Sequence, residues 1–172
     1  AIAVDAFGNI YTTGEIQGGG TIDFDPGIGV YDLVTVGGGD IYVSKLDASG
    51  NFVWARCMGG FTNYEDGRSI KVMGNNLYVA GRFASTVDFD PGTGTSNLTS
   101  AGSGDVFVSK LDSSGALVWA KSFGGTSTDI GNSIAVDSSG NVYTTGYFVD
   151  RADFDPGAET SNLTSAGAAD VF

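Results

Sequence analysis

Residues 41–55 read IYVSKLDASGNFVWA, and residues 106–120 read VFVSKLDSSGALVWA. In both, two runs rich in Val, Ile, Phe and Trp flank a turn that opens on Asp and closes on Gly. The Asp side chain bonds nearby backbone, and Gly50 or Gly115 supplies the positive φ of a bulged loop. Each stretch therefore predicts an antiparallel hairpin. A second hairpin signature, IAVDAFGNIYTTG at 2–14, returns as IAVDSSGNVYTTG at 134–146 and, one residue shorter, as IKVMGNNLYVAG at 70–81. Gly140 takes the same turn position as Gly50.

The two hairpins alternate along the chain with a fixed step. DFDPG occurs at 23–27, 88–92 and 153–157, a spacing of 65 residues, and the same step carries Asp40 to Asp105 and Asp170. The chain is a tandem repeat, and repeats of this length stack into extended arrays or close into rings. Two hairpins per unit give a four-stranded antiparallel meander. In GNFVWARCM, Phe52, Trp54 and Met58 face one way and Val53, Ala55 and Cys57 the other, so both faces of the sheet carry apolar side chains. A four-stranded sheet covered on both faces and repeated in tandem is a propeller blade. The expected organisation is one all-β repeat array over 1–172, with blade one at 1–60, blade two at 61–125 and a partial blade three at 126–172.

Between the hairpins lies a linker, TVDFDPGTGTSNLTSAGSG at 86–104 in the second copy. It holds one DPG turn per copy, around Pro26, Pro91 and Pro156. Phe24, Phe89 and Phe154 are expected to anchor it to the blade, and the polar SNLTS segments at 96–100 and 161–165 to form an extra edge strand or short hairpin at a rim. Copy one departs from the others at EIQGGG (15–20) and VYDLVTVGG (30–38).

The units GNSIAVDSSGNVYTTG, GDVFVSKLDSSG and LVWAKSFGG resemble the bacterial β-propeller repeat, the SBBP repeat, in a long form carrying a DFDPG insertion. The resemblance spans essentially the whole chain. It implies large secreted or cell-surface bacterial proteins, often combined with adhesive or sorting modules, and it brings no shared catalytic residues.

Composition narrows the function further. Seventeen Asp and three Glu against eight Lys and Arg give a net charge of −12, which disfavours nucleic-acid phosphates as partners. The excess of Asp over Glu places the acids on turns rather than helices. There is no histidine, so neither a Ser-His-Asp triad nor His-ligated zinc can be built from this sequence. No apolar run approaches the length of a membrane-spanning helix. The lone Cys57 reads as a small core or rim residue.

Thirteen of the seventeen Asp are repeat copies: Asp5 and Asp137; Asp23, Asp88 and Asp153; Asp25, Asp90 and Asp155; Asp40, Asp105 and Asp170; Asp47 and Asp112. An acid repeated around an array reads as a scaffold part, whereas a glycosidase pair would be singular. Asp5, Asp47, Asp112 and Asp137 are turn initiators, and Asp40, Asp105 and Asp170 cap loops before a strand. The acids of DFDPG carry a second reading. Asp23 with Asp25, Asp88 with Asp90, and Asp153 with Asp155 set two carboxylates beside a tight turn, an arrangement open to calcium. Trp54 and Trp119 are expected between blades. Tyr31, Phe61, Tyr64 and Tyr147 lie in variable segments, where an aromatic platform for a sugar would sit.

The expected function is a non-catalytic structural or adhesive repeat segment of a secreted or cell-surface bacterial protein. The alternatives are a glycan-binding or carboxylate-dependent glycan-cleaving propeller and a subunit of an extracellular filament. No cofactor is expected apart from calcium. The repeat count, about 2.6, is not whole, so the sequence reads as a piece of a larger propeller whose missing blades come from the same protein or from other chains.

Overall fold

In the computed structural model, which describes residues 1–61 and 64–172, every regular element is a β-strand. The chain is an open array of propeller blades. Blade one begins with β1 (Ile2–Val4) and β2 (Ile10–Gln17), makes the small hairpin β3 (Thr21–Asp23) and β4 (Asp32–Val34), and returns for β5 (Gly39–Leu46) and β6 (Phe52–Gly60). Blade two repeats the plan with β7 (Asp66–Met73), β8 (Asn76–Phe83), the hairpin β9 (Thr86–Asp88) and β10 (Asn97–Thr99), then β11 (Asp105–Asp112) and β12 (Leu117–Gly125). Blade three has β13 (Ile130–Val136), β14 (Val142–Phe148), the hairpin β15 (Arg151–Asp153) and β16 (Asn162–Thr164), and the short β17 (Asp170–Val171).

Each meander is antiparallel, in the order β1-β2-β5-β6, β7-β8-β11-β12 and β13-β14-β17. The turns form as their residues dictate. At 47–51 the Asp47 Oδ1 atom accepts from the N–H groups of Ser49 (2.8 Å) and Asn51 (2.9 Å), and Gly50 follows at φ 83°. Gly115 and Gly140 stand at 80° and 85°. The extra residue emerges as a bulge, seen as a register shift at Lys45/Leu46 and again at Lys110/Leu111.

The main core lies between blades. Tyr11, Ile41, Val43, Trp54 and Met58 of blade one meet Leu77, Val79, Phe83, Phe89, Phe107 and Leu111 of blade two. Burying a side chain of this size contributes about 1.5–3 kcal/mol, so blade stacking is the main source of stability. A smaller cluster of Tyr78, Ala80, Val108 and Ile134 joins blades two and three. At one end of each blade the first strands come together: β7 packs on β1 and β2, and β13 packs on β7 and β8. Trp54 is buried, and its indole N–H donates to the Ser113 carbonyl of the next blade at 3.2 Å. Trp119 lies edge-on to Tyr78, with ring centroids 6.3 Å apart. Coverage of the outer strands is less complete than their composition predicts. Val53 and Val118, at the start of β6 and β12, remain about half exposed.

The DFDPG excursion is a hairpin, but it does not simply decorate its own blade. The hairpin of blade two pairs with the outermost strand of blade one, Gly59 opposite Asp88 and Gly60 opposite Val87. That of blade three pairs with β12 in the same way, Gly124 opposite Asp153 and Gly125 opposite Ala152. Two six-stranded sheets therefore run across blade boundaries. The Gly-Gly ends make this possible. A Cβ on Gly60 would stand 2.5 Å from the Thr86 carbonyl oxygen, and one on Gly125 would stand 2.1 Å from that of Arg151.

Candidate functional site

The DFDPG loops are held by their own carboxylates. Asp23 Oδ1 accepts from the N–H groups of Asp25 (2.9 Å) and Tyr31 (2.8 Å), and Asp88 Oδ1 from those of Asp90 (3.0 Å) and Ser96 (2.8 Å). Asp153 does the same with Asp155 (3.0 Å) and Ser161 (2.7 Å). The second acid of each pair closes the DPG turn, accepting from Gly27, Gly92 or Gly157 through its Oδ1 atom. The backbone donors hold the Asp23 and Asp153 carboxyls below their ordinary range. The intervening phenylalanine fixes the hairpin to its blade. Ring centroids lie 5.1 Å apart for Phe24 and Tyr42, 5.0 Å for Phe89 and Phe107, and 5.1 Å for Phe154 and Phe172. The hydrogen bonds of all six acids run through Oδ1, and their Oδ2 atoms carry none among the described residues. No three acidic or thiol groups converge as a metal cluster among the described residues.

Of the loop-capping acids, Asp40 and Asp105 are almost fully buried and Asp170 is half-buried. Asp40 Oδ2 accepts from Val36 N–H at 2.5 Å, Asp105 Oδ2 from Ala101 N–H at 2.9 Å, and Asp170 Oδ2 from Ala166 N–H at 2.6 Å. The Asp40 carboxylate lies beside the Cys57 thiol. Burial and the adjacent Asp40 carboxylate push that thiol up to about 12, so Cys57 is an inert thiol rather than a nucleophile.

A second set of buried acids emerges only from the structure. Glu65 immediately precedes β7 and Asp129 immediately precedes β13, and both are almost fully buried. Asp129 accepts from Gly125 N–H at 2.6 Å and from Val149 N–H at 3.1 Å. A Cβ on Gly124 would lie 2.8 Å from an oxygen of Asp105 and from one of Asp129, so the two carboxyls approach closely across this glycine. Burial, reinforced by the charge on Asp129, pushes the Asp105 carboxyl up to about 6. The sequence signal was an acid two residues before Gly67 and before Gly131. It was hidden by a one-residue shift between the copies and by the change from Glu to Asp.

The aromatic candidates are not brought together. Tyr31 stacks on Phe52 at 4.7 Å, and its hydroxyl accepts from the Arg56 guanidinium at 3.2 Å. Tyr147 lies on β14, half-buried, and Phe61 is 90% exposed. Tyr64 does line a cavity. With Arg82, Ala84, Ser85, Gly102, Ser103 and Thr128 it encloses about 540 Å³ where the loops on either side of blade two meet. Its ring, 57% exposed, carries the Arg82 guanidinium 5.5 Å from the centroid, and Arg82 in turn pairs with Asp66 at 3.1 Å.

Blades of four antiparallel strands, stacked through their faces and tied across their outer edges, define a β-propeller repeat protein. Residues 118–147, which run from β12 to β14, match the family model of the beta-propeller repeat, SBBP. This is the repeat that the sequence resembles. The chain is also 31% identical over 114 residues to an uncharacterized WD repeat-containing protein of Acanthamoeba polyphaga mimivirus. That alignment takes in 58% of this chain and 8% of the viral protein, so the chain spans only a small part of its relative's length.

Proposed function

We propose that this chain is a non-catalytic scaffold segment, an array of blades that displays loops and rims for adhesion as part of a secreted or cell-surface bacterial protein. One observation carries the reading: each of the thirteen repeated aspartates accepts a backbone N–H, closing a turn, a hairpin or a loop. Acids engaged this way shape the backbone and are poorly placed to attack or protonate a substrate. The family match and the WD-repeat relative support a repeat scaffold. Placement at the cell surface follows from the resemblance alone, and the further blades that would complete a ring are partners of the same proposal.

The cavity beneath Tyr64 favours a second reading, a glycan-binding blade. An exposed aromatic ring beside a guanidinium and the hydroxyls of Ser85, Ser103 and Thr128 offers both a stacking face and hydrogen-bond partners for a sugar.

Two measurements on the 172-residue chain separate these readings from an enzyme. Release of reducing ends from a panel of polysaccharides is expected to be zero, and antibodies against the chain are expected to label intact source cells. Turnover that is lost on mutating Asp105 or Asp129 would overturn the non-catalytic reading. Saturable binding on a glycan array, abolished by Tyr64→Ala, would establish the glycan-binding one.

A further inference from the structure

The hairpin of blade one is built and held like the other two but, among the described residues, no strand pairs with its outer edge. Thr21 pairs with Val34 and Ile22 with Leu33 inside the hairpin, Asp23 makes the same two backbone bonds as Asp88 and Asp153, and Phe24 holds the same ring contact as Phe89. Yet β3 pairs only with β4, while β9 and β15 each pair with an outermost strand of the preceding blade. The exposure of equivalent residues records the difference. Ile22 is 40% exposed, Val87 0% and Ala152 1%.

We infer that the outer edge of β3 is a docking site for one kind of partner: the outermost strand of a further blade of the same repeat, ending in Gly-Gly and seated with its second glycine opposite Ile22. The inference rests on the propeller-scaffold reading and adds its recognition rule. The rule comes from the two filled sites. At both, the residue facing Val87 or Ala152 is glycine, and any Cβ there would collide with the carbonyl of the residue before it, Thr86 or Arg151. Thr21 occupies that place in β3. The occupant therefore adds main-chain pairing to an open edge and is selected by the side chain it lacks. A second copy of this chain does not fit the requirement, because its Gly-Gly ends at Gly60 and Gly125 are already clasped by β9 and β15.

The test uses the whole 172-residue chain and the nonapeptide LVWAKSFGG, the sequence of β12, with backbone hydrogen exchange read residue by residue. The peptide should slow exchange over residues 21–24 by about tenfold or more at saturation. The same peptide with its last residue altered, Gly125→Val, should leave exchange there unchanged. Absence of protection at residues 21–24, equal protection by both peptides, or protection that rises with protein concentration alone would overturn the inference. None of these outcomes depends on catalysis or glycan binding, so the inference can fail while the scaffold reading stands.

Discussion

Gly60 of the first blade lies opposite Val87 of the second, and the pairing leaves no room for a side chain on the glycine. The contact converts two neighbouring meanders into one continuous sheet. Blades held by apolar stacking and a few side-chain hydrogen bonds acquire a backbone tie at the outer rim, and the same tie recurs at Gly125 and Ala152.

Replacing Gly60 by Ala should therefore destabilise the chain by about 1–3 kcal/mol, the usual cost of overpacking against backbone. Urea denaturation monitored by tryptophan fluorescence measures it. Gly167, whose Cβ would meet nothing within 4 Å, is the control, and Gly167→Ala should be nearly silent.

Two turn glycines separate strain from crowding. Gly50 stands at φ 83° in open space, so Gly50→Ala should cost about 1 kcal/mol from backbone strain alone. Gly115, at φ 80°, also has Arg56 Cγ 3.0 Å and Trp54 Cε3 3.2 Å from a Cβ position. Gly115→Ala should cost more than Gly50→Ala, and equal costs would show that the contact between blades here is slack.

The alternation of apolar runs with Asp- and Gly-bearing turns made the four-stranded unit legible, because both the turn and the strand are local properties. The DFDPG hairpin was legible for the same reason. Its partner was not. The edge that β9 occupies is set by Gly59 and Gly60, in a different blade, and pairing over that distance leaves no local pattern. The capping role of Asp105 could be read from its place before a strand, whereas its proximity to Asp129 depends on how two loops converge on Gly124. Likewise Tyr64 stood out as a variable aromatic, but the cavity it lines is assembled from separate loops.

Stability should peak in mildly acidic solution. Asp105 is neutral more readily in the folded state than at its ordinary value of 3.8, so its favourable contribution is complete below that value and is lost as pH rises through about 6. The raised carboxyls of Asp40 and Asp129 act in the same sense. Asp47, Asp112 and Asp137 act oppositely. Their hydrogen bonds lower the folded value, and their contribution is lost as pH falls below the ordinary range. Melting temperature measured from pH 3 to pH 8 should pass through a maximum between about 4 and 6. Asp105→Asn should flatten the decline on the alkaline side. A melting temperature that climbs steadily to pH 8 would contradict this account of the buried acids.

Calcium binding at Asp23/Asp25, Asp88/Asp90 and Asp153/Asp155 is proposed through the Oδ2 oxygens that the backbone leaves unused. Bound ions would offset repulsion in a chain of net charge −12. Melting temperature should rise with calcium and fall with chelator, and Asp88→Asn with Asp90→Asn should weaken the response. An unchanged melt in chelator removes the proposal.

The central claim is that the DFDPG hairpins tie successive blades into one scaffold, and native-state hydrogen exchange of the unmodified chain tests it most directly. Residues 86–88 and 151–153, paired across blade boundaries, should exchange only through openings as costly as separating the blades, while residues 21–23, with an open outer edge, should exchange far faster. Equal and rapid exchange at all three hairpins would contradict the account, because the hairpins would then be loose ornaments on independent blades.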